Sequence, residues 1–250
     1  MTFNIIGFIL PEITIAIGIC TVILVNSLSK KTTPELIHGF ILFFLSLALF
    51  FSFVTLQIPE NTIFNGHYSI DSFGTNLKII ALVAAILVHL SSVKSNQNIK
   101  NEIFLIQLFA TLGVLILCSA QNLLTVYLGL ETLTLSMYGI VASNRNSIDA
   151  TESAMKFFVL GAIASAIFLY GISILYGVTG TLSLDTIKGS MMLDTLEMKV
   201  AIAFIACGII FKFGAFPFHS WVPDSYQGSN TTAAIYVSSV PKIGAFALIA

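Results

Sequence analysis

The sequence predicts an all-α fold, a polytopic bundle of about eight membrane-crossing helices with an interrupted seventh. Composition is the first reason: of 250 residues, 56% are hydrophobic and 9% charged, against roughly a quarter charged in a soluble domain. Mean hydropathy is +0.96, and the apolar residues gather in runs near the length of about 20 that crosses a bilayer. These runs do not alternate in polarity, which excludes a closed barrel.

Hydropathy places the segments at about 4–27, 36–57, 73–91, 102–120, 122–142, 149–177, 198–217 and 230–250. The first, MTFNIIGFILPEIT onward, lacks the basic start of a signal peptide and reads as a retained helix. Glu12, after Pro11, reads as a helix-start carboxylate. Between the second and third segments, the Gly-, Asn- and Asp-bearing run Pro59 to Asp71 suits a small surface hairpin. Lys78 lies just inside the third segment, and His89 near its end reads as interfacial. The stretch from Thr179 to Lys199 is the longest loop, and no soluble domain fits between segments. The last segment, VSSVPKIGAFALIA, reaches Ala250 without a cap or polar stop, so the chain is expected to be cut short.

Eleven basic and twelve acidic residues give a net charge of -1, so no basic face exists for nucleic acid and the expected surroundings are lipid. With eight spans, Lys30, Lys31, Lys94, Lys100 and Arg145 fall on one side, against Lys188 and Lys199 on the other. The positive-inside rule puts the first set in the cytoplasm and the N-terminus outside. Cys20, Cys118 and Cys207 stand singly in apolar runs, without the spacing of a metal site or disulfide framework.

Charge inside the membrane is the functional signal. Each such side chain costs about 2.5 to 3.5 kcal/mol on insertion scales, so four of them need protein, water or one another as partners. Glu131 lies in LTVYLGLETLTLSMYGIVA, about eleven residues from the segment end and too deep to snorkel. Lys156 follows the polar turn SNRNSIDATES and is expected at a depth within about 5 Å of Glu131, allowing contact between antiparallel neighbours. Lys212 lies in ACGIIFKFGAFPFHSWVPD, where Pro217 clashes with the carbonyl of Phe213 and predicts a helix break. Lys242 follows Pro241, which would free the carbonyl of Val237 in a second local break. A structural ion pair between helices or a snorkelling lysine is the alternative for each. His219, after Pro217, is open to two roles, a proton relay or a group that caps and orients the broken helix. Asp224, in WVPDSYQG, reads as a turn residue.

These motifs resemble the antiporter-like subunit family of respiratory complex I, the proton-translocating NADH-quinone oxidoreductase. The resemblance is carried by YLGLETLTLSMYGIVA, ESAMKFFVLGAIASAIFLYG, FKFGAFPFHSWVPDSYQGS and SSVPKIGAF, and covers nearly the whole chain. PDSYQG with PKIGAF after it favours one subunit type over its sisters. The resemblance implies inverted repeats of five helices, with three N-terminal helices in 1–100, a first repeat in 101–250 and the second repeat absent. It also implies that Glu131 and Lys156 form a switching pair, that Lys212 is the central proton carrier and that Lys242 passes protons onward. NADH, FMN, Fe–S clusters and quinone are then expected in partner subunits, with no cofactor in this chain. Its expected neighbours are other membrane subunits of complex I, especially antiporter-like ones, in a bacterial inner membrane, an organellar inner membrane or a thylakoid. Two other readings stay open: a subunit of a multi-subunit cation/proton antiporter, and a non-conducting truncated fragment.

Overall fold

The computed structural model describes residues 7–28, 34–94, 101–144, 147–190 and 195–249. Lys30, Lys31, Lys100, Arg145 and the first residues of the first predicted segment lie outside the described residues, as does the side chain of Lys94. The described elements are α1 (Leu10–Leu28), α2 (Pro34–Thr55), β1 (Asn61–Ile63), β2 (Tyr68–Ile70), α3 (Ser72–Lys94), α4 (Asn101–Cys118), α5 (Leu123–Val141), α6 (Ile148–Thr179), α7 (Leu184–Ser190), α8 (Leu196–Phe213), α9 (Trp221–Gly228) and α10 (Thr231–Ala247).

Six of these helices, α1 to α6, are each long and apolar enough to cross a membrane. Two further helices, α8 and α10, lie where the seventh and eighth segments were predicted. α8 has 18 residues and carries Glu197, Lys199 and Lys212, and α10 has 17. Both are held by packing, α8 along α6 and α10 along α3 and α4. Large apolar side chains, among them Leu24, Phe43, Phe50, Leu87, Leu128 and Leu135, are exposed on the bundle exterior, as lipid-facing helices require.

Helix starts follow local chemistry. The side chains of Asn122, Ser147, Thr195 and Asn230 cap α5, α6, α8 and α10 by accepting from a backbone N–H in the first turn. The expected hairpin is present: β1 and β2 pair antiparallel, Ile63 opposite Tyr68 and Asn61 opposite Ile70. Its turn uses positive φ at Phe64, Asn65 and Gly66. The predicted long loop after Thr179 holds the seven-residue helix α7, which hydropathy did not signal.

Three connections meet at one end of the bundle. Ser69 N donates to Ser119 O and Gln121 N to His67 O, tying the hairpin to the α4–α5 turn. Leu123 N donates to Leu182 O and Leu184 N to Gln121 O, adding the α6–α7 turn. Eight alternating spans put these same loops on one side.

Close packing positions the functional helices. A Cβ at Gly113 would lie 2.7 Å from Leu133 N and 2.9 Å from Gly129 O, so glycine lets the α4 and α5 backbones touch. α8 stops at Phe213, capped by Gly214 in the left-handed region at φ 68. The chain then turns through a cis Phe216–Pro217 bond before α9 begins at Trp221. The interruption predicted from Pro217 is therefore real, four residues before the predicted end of that segment. The second predicted break is not. α10 runs unbroken through Pro241, whose neighbours Val237, Val240, Gly244 and Ala245 are all buried, and this packing holds the helix despite the lost backbone bond.

Candidate functional site

The interruption gives the site its centre. A helix ends with carbonyls that have no partner of their own, and at membrane depth something must satisfy them. Lys242 Nζ does so, donating to Lys212 O at 3.1 Å and Phe213 O at 2.7 Å. The carbonyl that Pro217 was expected to free is thus the one Lys242 holds most closely. A cation there also faces the negative end of the α8 dipole. Trp221 closes the gap, with its indole Nε1 donating to Phe211 O at 3.0 Å and its ring 4.9 Å from the Lys242 ammonium. Trp221 is in turn stacked on Phe157 of α6, at 4.3 Å between centroids.

Lys212, in the last turn of α8, points the other way. Its Nζ donates to Thr134 Oγ1 of α5 at 2.7 Å, and the Thr134 hydroxyl donates in turn to Leu130 O, one turn back on its own helix, at 2.6 Å. Glu131 lies three residues before Thr134, on the same face of α5. The Glu131 carboxylate accepts a hydrogen bond from Ser165 Oγ of α6. The structure thus places three of the predicted residues along one line of neighbouring groups that is not a continuous hydrogen-bonded chain: Glu131 one turn from Thr134 on α5, Lys212 bonded to Thr134, and Lys242 on the carbonyls of the α8 terminus.

Lys156 is not on that line. Half-exposed, it pairs with Glu152 at 2.8 Å, one turn back on α6, and with Asp224 of α9 at 3.2 Å. The expected contact with Glu131 is absent because α6 has 32 residues and overruns α5. Glu131 meets α6 at Ser165, nine positions from Lys156, about 13.5 Å along the axis. Tyr138 of α5 instead packs on Phe157 and Phe158 at 4.8 and 5.3 Å, marking the level of Lys156 two turns from Glu131. Asp224, read as a turn residue, is in the first turn of α9 and ties that half-helix to α6.

His219 lies on the exposed linker between α8 and α9. Its backbone carbonyl accepts from Val222 N, and its ring meets Phe216 at 5.8 Å.

Two polar clusters escaped the sequence reading. Glu12 of α1 is buried against Lys78 of α3 at 2.6 Å. Tyr68 of β2 donates to Glu12 Oε1 at 2.8 Å and accepts from Lys78 Nζ at 2.7 Å. Burial first, and the Glu12 charge second, push the Tyr68 phenol above its ordinary range. Glu12 does occupy a first helical turn, but its partner is an ammonium. The available signal was that Glu12 and Lys78 each sit near the start of an odd-numbered span, and so at one end of the bundle. His89, expected at the interface, is 2% exposed and lies 3.3 Å from His38 of α2. Among the described residues no cluster of His, Cys, Asp or Glu is arranged to hold a metal, and the three cysteines are free thiols.

The sequence model for "NADH:quinone oxidoreductase/Mrp antiporter, TM" matches residues 120–250. The chain belongs to this family. Within it, the chain is 36% identical to NADH-quinone oxidoreductase subunit N of Ruthia magnifica over 249 residues, 96% of this chain and 51% of the relative. The Acidithiobacillus ferrooxidans protein of the same description is 45% identical over 196 residues, 76% of this chain and 41% of that one. A chain of respiratory complex I from Thermus thermophilus superposes with a TM-score of 0.81 at 28% identity, covering 96% of this chain and 52% of that one. The subunit type favoured by PDSYQG and PKIGAF is thus that of the curated relatives. This NADH:quinone oxidoreductase/Mrp antiporter family member spans about half the length of the curated relatives it matches. With bacterial relatives and a bundle of apolar helices, it is a multi-pass inner-membrane protein.

Proposed function

We propose that this chain is part of a proton-translocating membrane subunit of an NADH-quinone oxidoreductase. One observation carries the reading: Lys212 Nζ hydrogen-bonds Thr134, one turn from Glu131 on α5, and Lys242 Nζ holds the carbonyls of the α8 terminus on which Lys212 lies. A lysine can hold or release a proton, and a hydroxyl can accept from one neighbour while donating to the next. Such groups are costly in a membrane and mark conduction paths. Glu131 is the carboxylate end of the line, Lys212 its central carrier and Lys242 the onward carrier lodged in the break. Lys156, with Asp224, fixes α9, and His219 orients the linker.

Residues 1–100 would form a three-helix unit and 101–250 the first five-span repeat, which contains the matched stretch 120–250. NADH oxidation and quinone reduction, with their flavin and Fe–S centres, would reside in partner subunits, reached through neighbouring antiporter-like membrane subunits. The test is Lys212→Ala in the assembled complex, with protons moved per NADH oxidised as the readout. The stoichiometry is expected to fall while the complex still assembles. Unchanged stoichiometry would overturn the assignment, and so would sodium-dependent flux that needs neither NADH nor quinone.

A further inference from the structure

A second polar region connects the Lys242 helix to the three N-terminal helices. Six residues before Lys242 on α10, the fully buried Tyr236 reaches α4, where its hydroxyl donates to Gln107 O at 2.7 Å and lies 2.8 Å from Thr111 Oγ1. Thr111 Oγ1 also donates to Gln107 O at 2.8 Å. Two hydroxyl protons can fill only two of these three contacts, and in either arrangement each hydroxyl oxygen keeps at least one free lone pair. The Gln107 side chain is buried, and its Nε2 has no protein partner. A buried amide donor without an acceptor is costly, and buried amides are found satisfied in nearly every fold.

Beside these groups lies a cavity of about 10 Å³, lined by Gln107, Thr111 and Tyr236, by His89 of α3, and by apolar residues including Ile41 and Leu108. This is about the space one water needs, and the walls supply the two to four polar partners that a buried water requires. Its far wall continues outward, since His89 Nε2 lies 3.3 Å from His38 Nδ1 on α2. Phe104 packs edge-on against both imidazoles at 4.6 and 4.9 Å, an apolar cover over the pair.

We propose that this cavity binds a single ordered water molecule, which accepts from Gln107 Nε2 and joins the His38–His89 pair to Thr111 and Tyr236. With the water in place, one hydrogen-bonded chain crosses α2, α3, α4 and α10. It runs lateral to the line from Glu131 to Lys242 and needs none of those residues, so the site stands whether or not the proton-path reading holds. The water occupies its position because Gln107 offers two N–H groups where the protein provides no acceptor.

The test is a map of the assembled membrane complex at a resolution that shows ordered water, for the unaltered chain and for Gln107→Leu. One isolated density within hydrogen-bonding distance of Gln107 Nε2 is expected in the first and none in the second. A map with no density there, or with Nε2 turned onto a protein acceptor, overturns the proposal. An infrared O–H stretching band of a buried water, shifted by exchange into H2(18)O, provides an independent readout. The band should vanish in Gln107→Leu and in Thr111→Val and persist in Ser238→Ala, whose hydroxyl bonds its own exposed helix face. A band that survives both of the first two variants also overturns it.

Discussion

Lys78→Met should be among the most destabilising single substitutions in the three N-terminal helices. It removes the ammonium 2.6 Å from Glu12 and leaves that carboxylate buried with one remaining partner, Tyr68. At an effective dielectric of 20, two unit charges at this distance attract by roughly 6 kcal/mol. Desolvation offsets much of that in the intact pair, but cutting one partner leaves the other's desolvation uncompensated, at about 3–5 kcal/mol. Glu12→Gln should cost a similar amount by stranding Lys78. The double variant removes both charges and should cost far less than the sum of the two singles, giving a coupling energy of several kcal/mol. Reversible unfolding in mixed micelles, followed by the fluorescence of the single tryptophan, Trp221, measures all three. A single variant within about 1 kcal/mol of the parent, or a double variant that equals the sum, would refute the reasoning.

Tyr68 makes a pH prediction. Its phenol titrates higher in the fold than its ordinary value of 10, so the folded state binds the proton more tightly. The stabilisation is complete below pH 10 and is lost as pH rises past it. Unfolding measured from pH 8 to 11 should therefore show a steeper decline above 10 for the parent than for Tyr68→Phe. Gly214→Ala should cost about 1–2 kcal/mol for the left-handed backbone alone, and more because its Cβ would meet Val222 Cγ2. Thermal denaturation checks this, and a neutral result would mean that the turn can take another conformation. Lys242→Met should leave the Lys212 and Phe213 carbonyls without their donor, costing about 1–3 kcal/mol and lowering proton output per NADH. Loss of stability with full output would reduce Lys242 to a helix cap.

What the sequence revealed was local. Pro217 and Gly214 announce the α8 break within four residues, and Lys212 announces a charge that must be satisfied beside it. Lys242 is legible for the same reason, although Pro241 misled, since buried neighbours can hold a proline inside a continuous helix. Lys156 was misplaced because depth was measured from a helix start, which assumes that adjacent helices begin level. The 32 residues of α6 break that assumption. Glu12 with Lys78, and His38 with His89, are separated by 66 and 51 positions. Neither pair leaves a periodic signal, because tertiary packing alone brings those helices together. α7 is too short to register in a hydropathy window.

The main-chain clasp that joins the hairpin, the α4–α5 turn and the α6–α7 turn has a mechanical consequence. It ties three otherwise separate connections into one rim at the end of the bundle where α4 stops and α5 starts. Within that rim α4, α5 and α6 cannot slide past one another without breaking main-chain hydrogen bonds, whereas the α8 terminus is held across the bundle by the side chains of Lys242 and Trp221.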